Sequence, residues 1–201
     1  REKLAPIADD PWCMGYYIHN EARLDGWYGA ATLTEPDSPA RKAFVEVARA
    51  YYEGKPEQVA EDWKAFGVKT IDDLQAVRGE APDISGLTKA WEKAVAEKAF
   101  STIAAAARKA APNHLNLGCR MMSGVPPSPE ILGAMGKYCD VISLNLYSIL
   151  PDRLLTQIFT ITPALHIATG KPLMTSEFSY RGADTALPNT TRSEEHTSEL
   201  Q

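Results

Sequence analysis

Two glutamates stand where a strand should be closing. Glu21 ends the run YYIHNE, which opens on the apolar Tyr16, and Glu177 sits inside PLMTSEF. Carboxylates are rarely placed among buried strand residues without a partner or a task. In parallel α/β folds the carboxyl ends of strands are where ligands bind. Two carboxylates facing one pocket can divide the work of acid and nucleophile, because each alters the charge environment of the other. Cleavage of a glycosidic bond needs that division. One group protonates the leaving oxygen while the other attacks the sugar carbon or activates water. Spacing alone leaves a plainer reading open, in which both glutamates are surface charges or ion-pair partners of Arg120 or Arg181.

The elements that must hold these groups can be read from the pattern. Four segments have the near-continuous apolar content of short strands covered on both faces: Cys13–His19, His114–Arg120, Asp140–Tyr147 and Pro172–Phe178. Helical patterns lie between them. Ser38-Pro39 caps a helix over Ala40–Glu53 that Gly54 stops. Shorter helices are expected over Pro56–Phe66 and Ile71–Arg78, and a long Ala-rich one over Leu87–Ala110. Ser128-Pro129-Glu130 starts a helix through Tyr138, and Arg153–Ala168 forms the last, broken or shifted at Pro163. Strand and helix alternate, which implies right-handed crossovers and a parallel sheet. The charged and aromatic insert Thr34–Pro82 reads as an elaborated loop on one rim of that sheet.

Composition narrows the partners. The 201 residues are 44% hydrophobic and 23% charged with a net charge of −5, which argues against nucleic acid or an anionic membrane surface. No apolar run approaches the roughly 20 residues of a membrane-spanning helix. Cys13, Cys119 and Cys139 are scattered in or beside apolar runs and read as buried free thiols. The four histidines show no zinc-ligand spacing, so no metal and no cofactor are expected. Gly170-Lys171-Pro172 precedes a strand, the reverse of a phosphate-binding loop, and no GxSxG elbow is present.

The Asn20-Glu21 pair at the end of the first strand, with the TSEF glutamate on the last, resembles the clan-A glycoside hydrolases. Within that clan the runs NHLNLGCRM, YCDVISLNLYS and GKPLMTSEFSYRG are most similar to the β-agarases and their β-galactosidase-like relatives. So is the segment AYYEGKPEQVAEDWKAFGVKTIDDL. The resemblance covers about Asp10–Gly182. It implies an α/β fold, a partial (β/α)8 barrel over residues 10–191 that carries about strands four to seven. It implies retaining hydrolysis of β-galactosidic linkages in agar-type polysaccharide or oligosaccharides, with a carbohydrate as the partner molecule. Glu21 would be the general acid and then base, Glu177 the nucleophile, and Asn20 a hydrogen-bond donor to the hydroxyl beside the reacting carbon. Tyr147 would hydrogen-bond the nucleophile. His19, Trp27, Arg120 and Asn145, at or near strand ends, are candidate sugar contacts, each with a packing or charge-balancing alternative. Trp12 and Trp63 are read the same way.

Three alternatives stay open: a β-galactosidase for smaller β-galactosides, a catalytically silent carbohydrate-binding barrel, and a metal-dependent barrel enzyme. The third would want another acidic or His ligand, where the strand ends offer Arg120 and Asn145. The tail Arg192–Gln201, RSEEHTSELQ, lacks apolar periodicity and resembles a translated sequencing-library adapter, so it is expected to be non-native. The chain is then expected to be a fragment, which leaves localisation open, the periplasm and secretion included, and oligomeric state undetermined. Four strands leave open edges, so the chain alone is expected to aggregate and show no turnover.

Overall fold

The computed structural model describes residues 5–22, 27–122, 127–147 and 151–179. Arg181 and the 192–201 tail lie outside them. The architecture is mixed α/β with small parallel sheets. Its elements in chain order are β1 (Gly15–Tyr16), α1 (Trp27–Ala31), α2 (Pro39–Tyr51), α3 (Glu57–Asp62), α4 (Ser85–Ala110), β2 (Leu115–Asn116), β3 (Met121–Met122), α5 (Pro129–Tyr138), β4 (Ile142–Tyr147), α6 (Pro151–Thr169) and β5 (Leu173–Ser179). The chain divides into two compact units: Arg23–Ala99, and Arg1–Ala22 with Phe100–Gln201.

The Arg23–Ala99 unit is helical and has a core of its own. Ser38 Oγ accepts from the Arg41 backbone N–H at 3.1 Å, and Pro39 opens α2. Phe44 meets the Trp91 ring edge-on at 5.4 Å and the Trp63 ring at 6.0 Å. Trp63 is wholly buried and donates its Nε1–H to Tyr52 Oη at 3.2 Å, so it packs the core. The insert read as an elaborated loop therefore carries enough aromatic surface to bury a centre. The expected helix over Pro56–Phe66 is α3 plus a tight turn at Lys64–Phe66, ended by Gly67 at φ 68°. That expected over Ile71–Arg78 contracts to a 3₁₀ turn at Ile71–Gln75, capped by Thr70 and Asp73.

Arg41 is wholly buried in this unit. Its guanidinium donates to the carbonyls of Ala31 (3.2 Å), Thr34 (2.9 Å), Leu74 (3.1 Å), Gln75 (3.0 Å) and Val77 (2.8 Å), and to that of Thr32. One side chain thus satisfies carbonyls from two loops.

The other unit holds the strands. β1 pairs in parallel with β2, and β3, β4 and β5 form a parallel sheet in that order. The first strand is regular only over Gly15–Tyr16, shorter than expected, although Leu117 N–H donates to Tyr16 O and Ile18 N–H to Gly118 O, both at 2.9 Å. The expected strand His114–Arg120 is broken. Gly118 takes φ 79°, a left-handed turn that side chains disfavour, and pairing resumes at β3 against β4. β4 is buried at every residue until Tyr147, the pattern of a strand covered on both faces. α5 starts at the Ser128 cap as expected. α6 runs through Pro163 without breaking, losing one N–H from its ladder. α5 and α6 pack closely, and a Cβ on Gly136 would lie 2.8 Å from Thr169 O.

Candidate active site

The strand ends converge on a cluster of polar side chains. Among the described residues, two non-glycine residues have left-handed backbones, Glu21 at φ 52° and Arg120 at φ 27°. The Glu21 N–H donates to Arg120 O at 3.2 Å, so the two strained positions brace each other. Such conformations cost about 1–3 kcal/mol each and persist where surrounding structure enforces them.

A bulge aims the second glutamate. Leu144 pairs with Thr175, but Asn145 pairs with Glu177, which leaves Ser176 as the extra residue of β5. Without it, Glu177 would sit one register step further along. The bulge puts Glu177 opposite Asn145, on the sheet face that Asn145 and Tyr147 share by alternation.

Asn145 is wholly buried, and its amide is used on both sides. Nδ2 donates to Glu21 Oε1 at 2.9 Å and to Asn20 Oδ1 at 3.3 Å. Oδ1 accepts from Ser176 Oγ at 2.9 Å, and the same hydroxyl lies 3.0 Å from Leu144 O. Glu177 is held from two sides. Oε1 forms an ion pair with Arg120, and Oε2 accepts from Tyr147 Oη. The Arg120 guanidinium lies over the Tyr17 ring at 5.4 Å, and Tyr17 Oη donates to Met174 Sδ at 3.3 Å. Arg120 Nε is buried without a hydrogen-bond partner.

The structure thus brings Asn20, Glu21, Arg120, Asn145, Tyr147 and Glu177 together. The protein partners of two of them bear on the sugar-contact reading, and for Arg120 they match its charge-balancing alternative. Asn145 makes three bonds to protein groups, two from Nδ2 and one into Oδ1, which leaves one lone pair of Oδ1 for another donor. Arg120 reaches the carboxylate of Glu177. His19 is exposed and bonds through Nδ1 to Asn20 O at 2.9 Å. Trp27 lies in α1, with its side chain outside the described residues, and Trp12 is almost fully exposed. Ser176 and Tyr17 belong to the cluster although the sequence reading did not place them among its site residues. The signal for Ser176 is Thr175-Ser176-Glu177, a polar triplet that interrupts strand alternation and marks a bulge.

The chemistry follows from these contacts. A carboxylate between a guanidinium and a phenolic O–H is held in one orientation as an anion. A carboxyl group with one oxygen engaged by an amide N–H keeps the other for proton transfer. Among the described residues no group of three or more His, Cys, Asp or Glu side chains could hold a metal ion.

No family model matches the chain. It is 33% identical over 158 residues to beta-agarase B of Vibrio sp. (strain JT0107), covering 70% of this chain and 16% of that protein. By structure it is similar to an exo-beta-agarase, with a TM-score of 0.70 at 23% identity, covering 91% of this chain and 26% of that one. It is also similar to PfGH50B, with a TM-score of 0.69 at 26% identity, covering 95% and 30%. The chain spans about a sixth of the length of its curated relative.

Proposed function

The chain is related to the β-agarases, and from that kinship we propose that it forms part of a retaining glycoside hydrolase. Its substrate would be a β-galactosidic linkage in agar-type polysaccharide or oligosaccharide. The observation that carries this is the pair of strand-end carboxylates in one network. Asn145 links Glu21 to the strand that bears Glu177, and Glu177 is clamped by Arg120 and Tyr147.

A Glu177 oxygen attacks the anomeric carbon as the glycosidic C–O bond breaks, and Glu21 gives its proton to the departing oxygen. The sugar is left as an ester on Glu177. Water then attacks that carbon, Glu21 takes its proton, and the ester bond breaks to regenerate Glu177. Asn20 binds the hydroxyl beside the reacting carbon, and His19 contacts the sugar. The two parallel orders, β1-β2 and β3-β4-β5, support strands four to seven of a (β/α)8 barrel, with β2 and β3 as two halves of strand five.

The test uses the longer protein that carries this chain, assayed on agarose, neoagaro-oligosaccharides and a chromogenic β-galactoside. Turnover of an agar substrate that Glu21→Gln and Glu177→Gln each abolish is the expected result. Activity confined to the small galactoside keeps the mechanism and moves the substrate. Turnover of an agar substrate that survives either substitution rejects the assignment of that glutamate. The 201-residue chain alone is expected to show no turnover.

A further inference from the structure

We propose that Asn145 is a positioning residue that, locked by Ser176, fixes which oxygen of Glu21 carries the catalytic proton. The inference rests on the reading of Glu21 as general acid. It assigns Asn145 and Ser176 a part in the reaction that neither kinship nor the strand-end pattern gives them.

The amide of Asn145 has acceptors on one side, Glu21 Oε1 at 2.9 Å and Asn20 Oδ1 at 3.3 Å, and a hydroxyl on the other, Ser176 Oγ at 2.9 Å. That arrangement orients it with Nδ2 toward Glu21 and Oδ1 toward Ser176. The side chain is wholly buried, so water does not compete for these bonds. An amide N–H donates best to the unprotonated, carbonyl-type oxygen of a carboxyl group. With Oε1 so occupied, the acid proton rides on Oε2. Glu21 therefore presents one oxygen to the departing group and takes the proton back from water on that same atom. Ser176 is the bulged residue immediately before Glu177. The insertion that re-aims the nucleophile thus also supplies the hydroxyl that locks the residue orienting the acid. One irregularity of β5 sets both carboxylates.

The consequence is a dependence on the leaving group. A departing sugar hydroxyl needs the proton, whereas a dinitrophenolate does not. In the longer protein, kcat/KM would be measured for an agar oligosaccharide and for a dinitrophenyl β-galactoside. Asn145→Ala is expected to lower the first about 100-fold and the second less than about threefold. Ser176→Ala gives the same split at about fivefold, and serves if Asn145→Ala fails to fold. Glu21→Gln must show the split, and Glu177→Gln must lose both activities. If Glu21→Gln shows no split, the reading of Glu21 fails and this inference with it. If Glu21→Gln splits the substrates while Asn145→Ala or the folded Ser176→Ala lowers both equally or neither, the inference alone is overturned.

Discussion

Two arginines here use their guanidinium groups in opposite ways. Arg41 spends its guanidinium on six backbone carbonyls, and it lies in an ordinary helix. Arg120 lies on a left-handed backbone, pairs with one carboxylate, and leaves Nε buried and unbonded. A cation with every direction satisfied is a device for holding chain together. A cation that is strained, incompletely bonded and aimed at a carboxylate is maintained against its local cost, and such costs gather at functional sites. The same residue type is therefore structural in the Arg23–Ala99 unit and, on the function proposed, part of the site at the strand ends. Bonding completeness separates the two, and so does burial, with Arg41 wholly buried and Arg120 only partly so.

The contrast breaks first at Arg41 if it is wrong. Arg41→Met strips donors from six carbonyls, and breaking a buried charged network costs about 3–5 kcal/mol. The longer protein is expected to melt many degrees lower or to expose the Arg23–Ala99 segment to protease. An unchanged melting profile would mean that water replaces the guanidinium and the carbonyl cage is incidental. Arg120→Met should do the reverse. It removes the cation beside Glu177, so kcat/KM on galactosides is expected to fall about 100-fold. Stability is expected to stay within about 1 kcal/mol, because the lost ion pair is offset by ending an unsatisfied burial. A variant that unfolds while the residual folded fraction keeps full activity would move Arg120 into the class of Arg41.

The sequence displays some of this contrast and hides the rest. Glu21 and Glu177 are visible because a carboxylate at the end of an apolar run is conspicuous. The α5 cap at Ser128 and the α2 cap at Ser38 are visible because Ser-Pro at a helix start has a local cause. The bonding of Asn145 is hidden. In SLNLY it alternates like any strand residue, and its partners Asn20, Glu21 and Ser176 come from two other segments. The split of His114–Arg120 is hidden for a related reason. Gly118 signals a turn, but the change of partner from β1 to β4 is a property of the assembled sheet. The identity of the buried arginine is least legible of all, since Arg41 carries the pattern of a charged helix residue and its carbonyl partners lie in two loops.

A smaller effect sharpens the link between strain and function. Glu21 holds φ 52°, a conformation that glycine adopts freely. Glu21→Gly is expected to raise stability by about 1 kcal/mol while abolishing turnover of an agar substrate. Glu21→Gln keeps the strain and loses the acid, so it should abolish the same turnover with no gain in melting temperature. If both variants melt alike, the left-handed backbone at Glu21 stores nothing, and the argument from strain loses its support.

The smallest effect concerns groups that are buried and quiet. Burial pushes the Cys119 thiol up to about 11 and the Cys139 thiol up to about 12. Both values are raised, so both residues stay protonated at pH 8, and the stability that their burial reflects is complete there. It is lost as pH rises from the ordinary thiol value of 9.0 through about 11 to 12. The thiolate is the reactive form, so these two cysteines should resist alkylation. Cys13 is only partly buried. Iodoacetamide at pH 8 followed by peptide mapping is expected to label Cys13 at least tenfold faster than Cys119 or Cys139. Cys119 immediately precedes Arg120, so its labelling reports on that turn as well. Rapid labelling of Cys119 with Cys139 protected would mean that the strained turn opens in solution, and the Arg120–Glu177 pair with it. Protection of both places the strain in a closed, well-supported site, which is the state that the comparison of the two arginines requires.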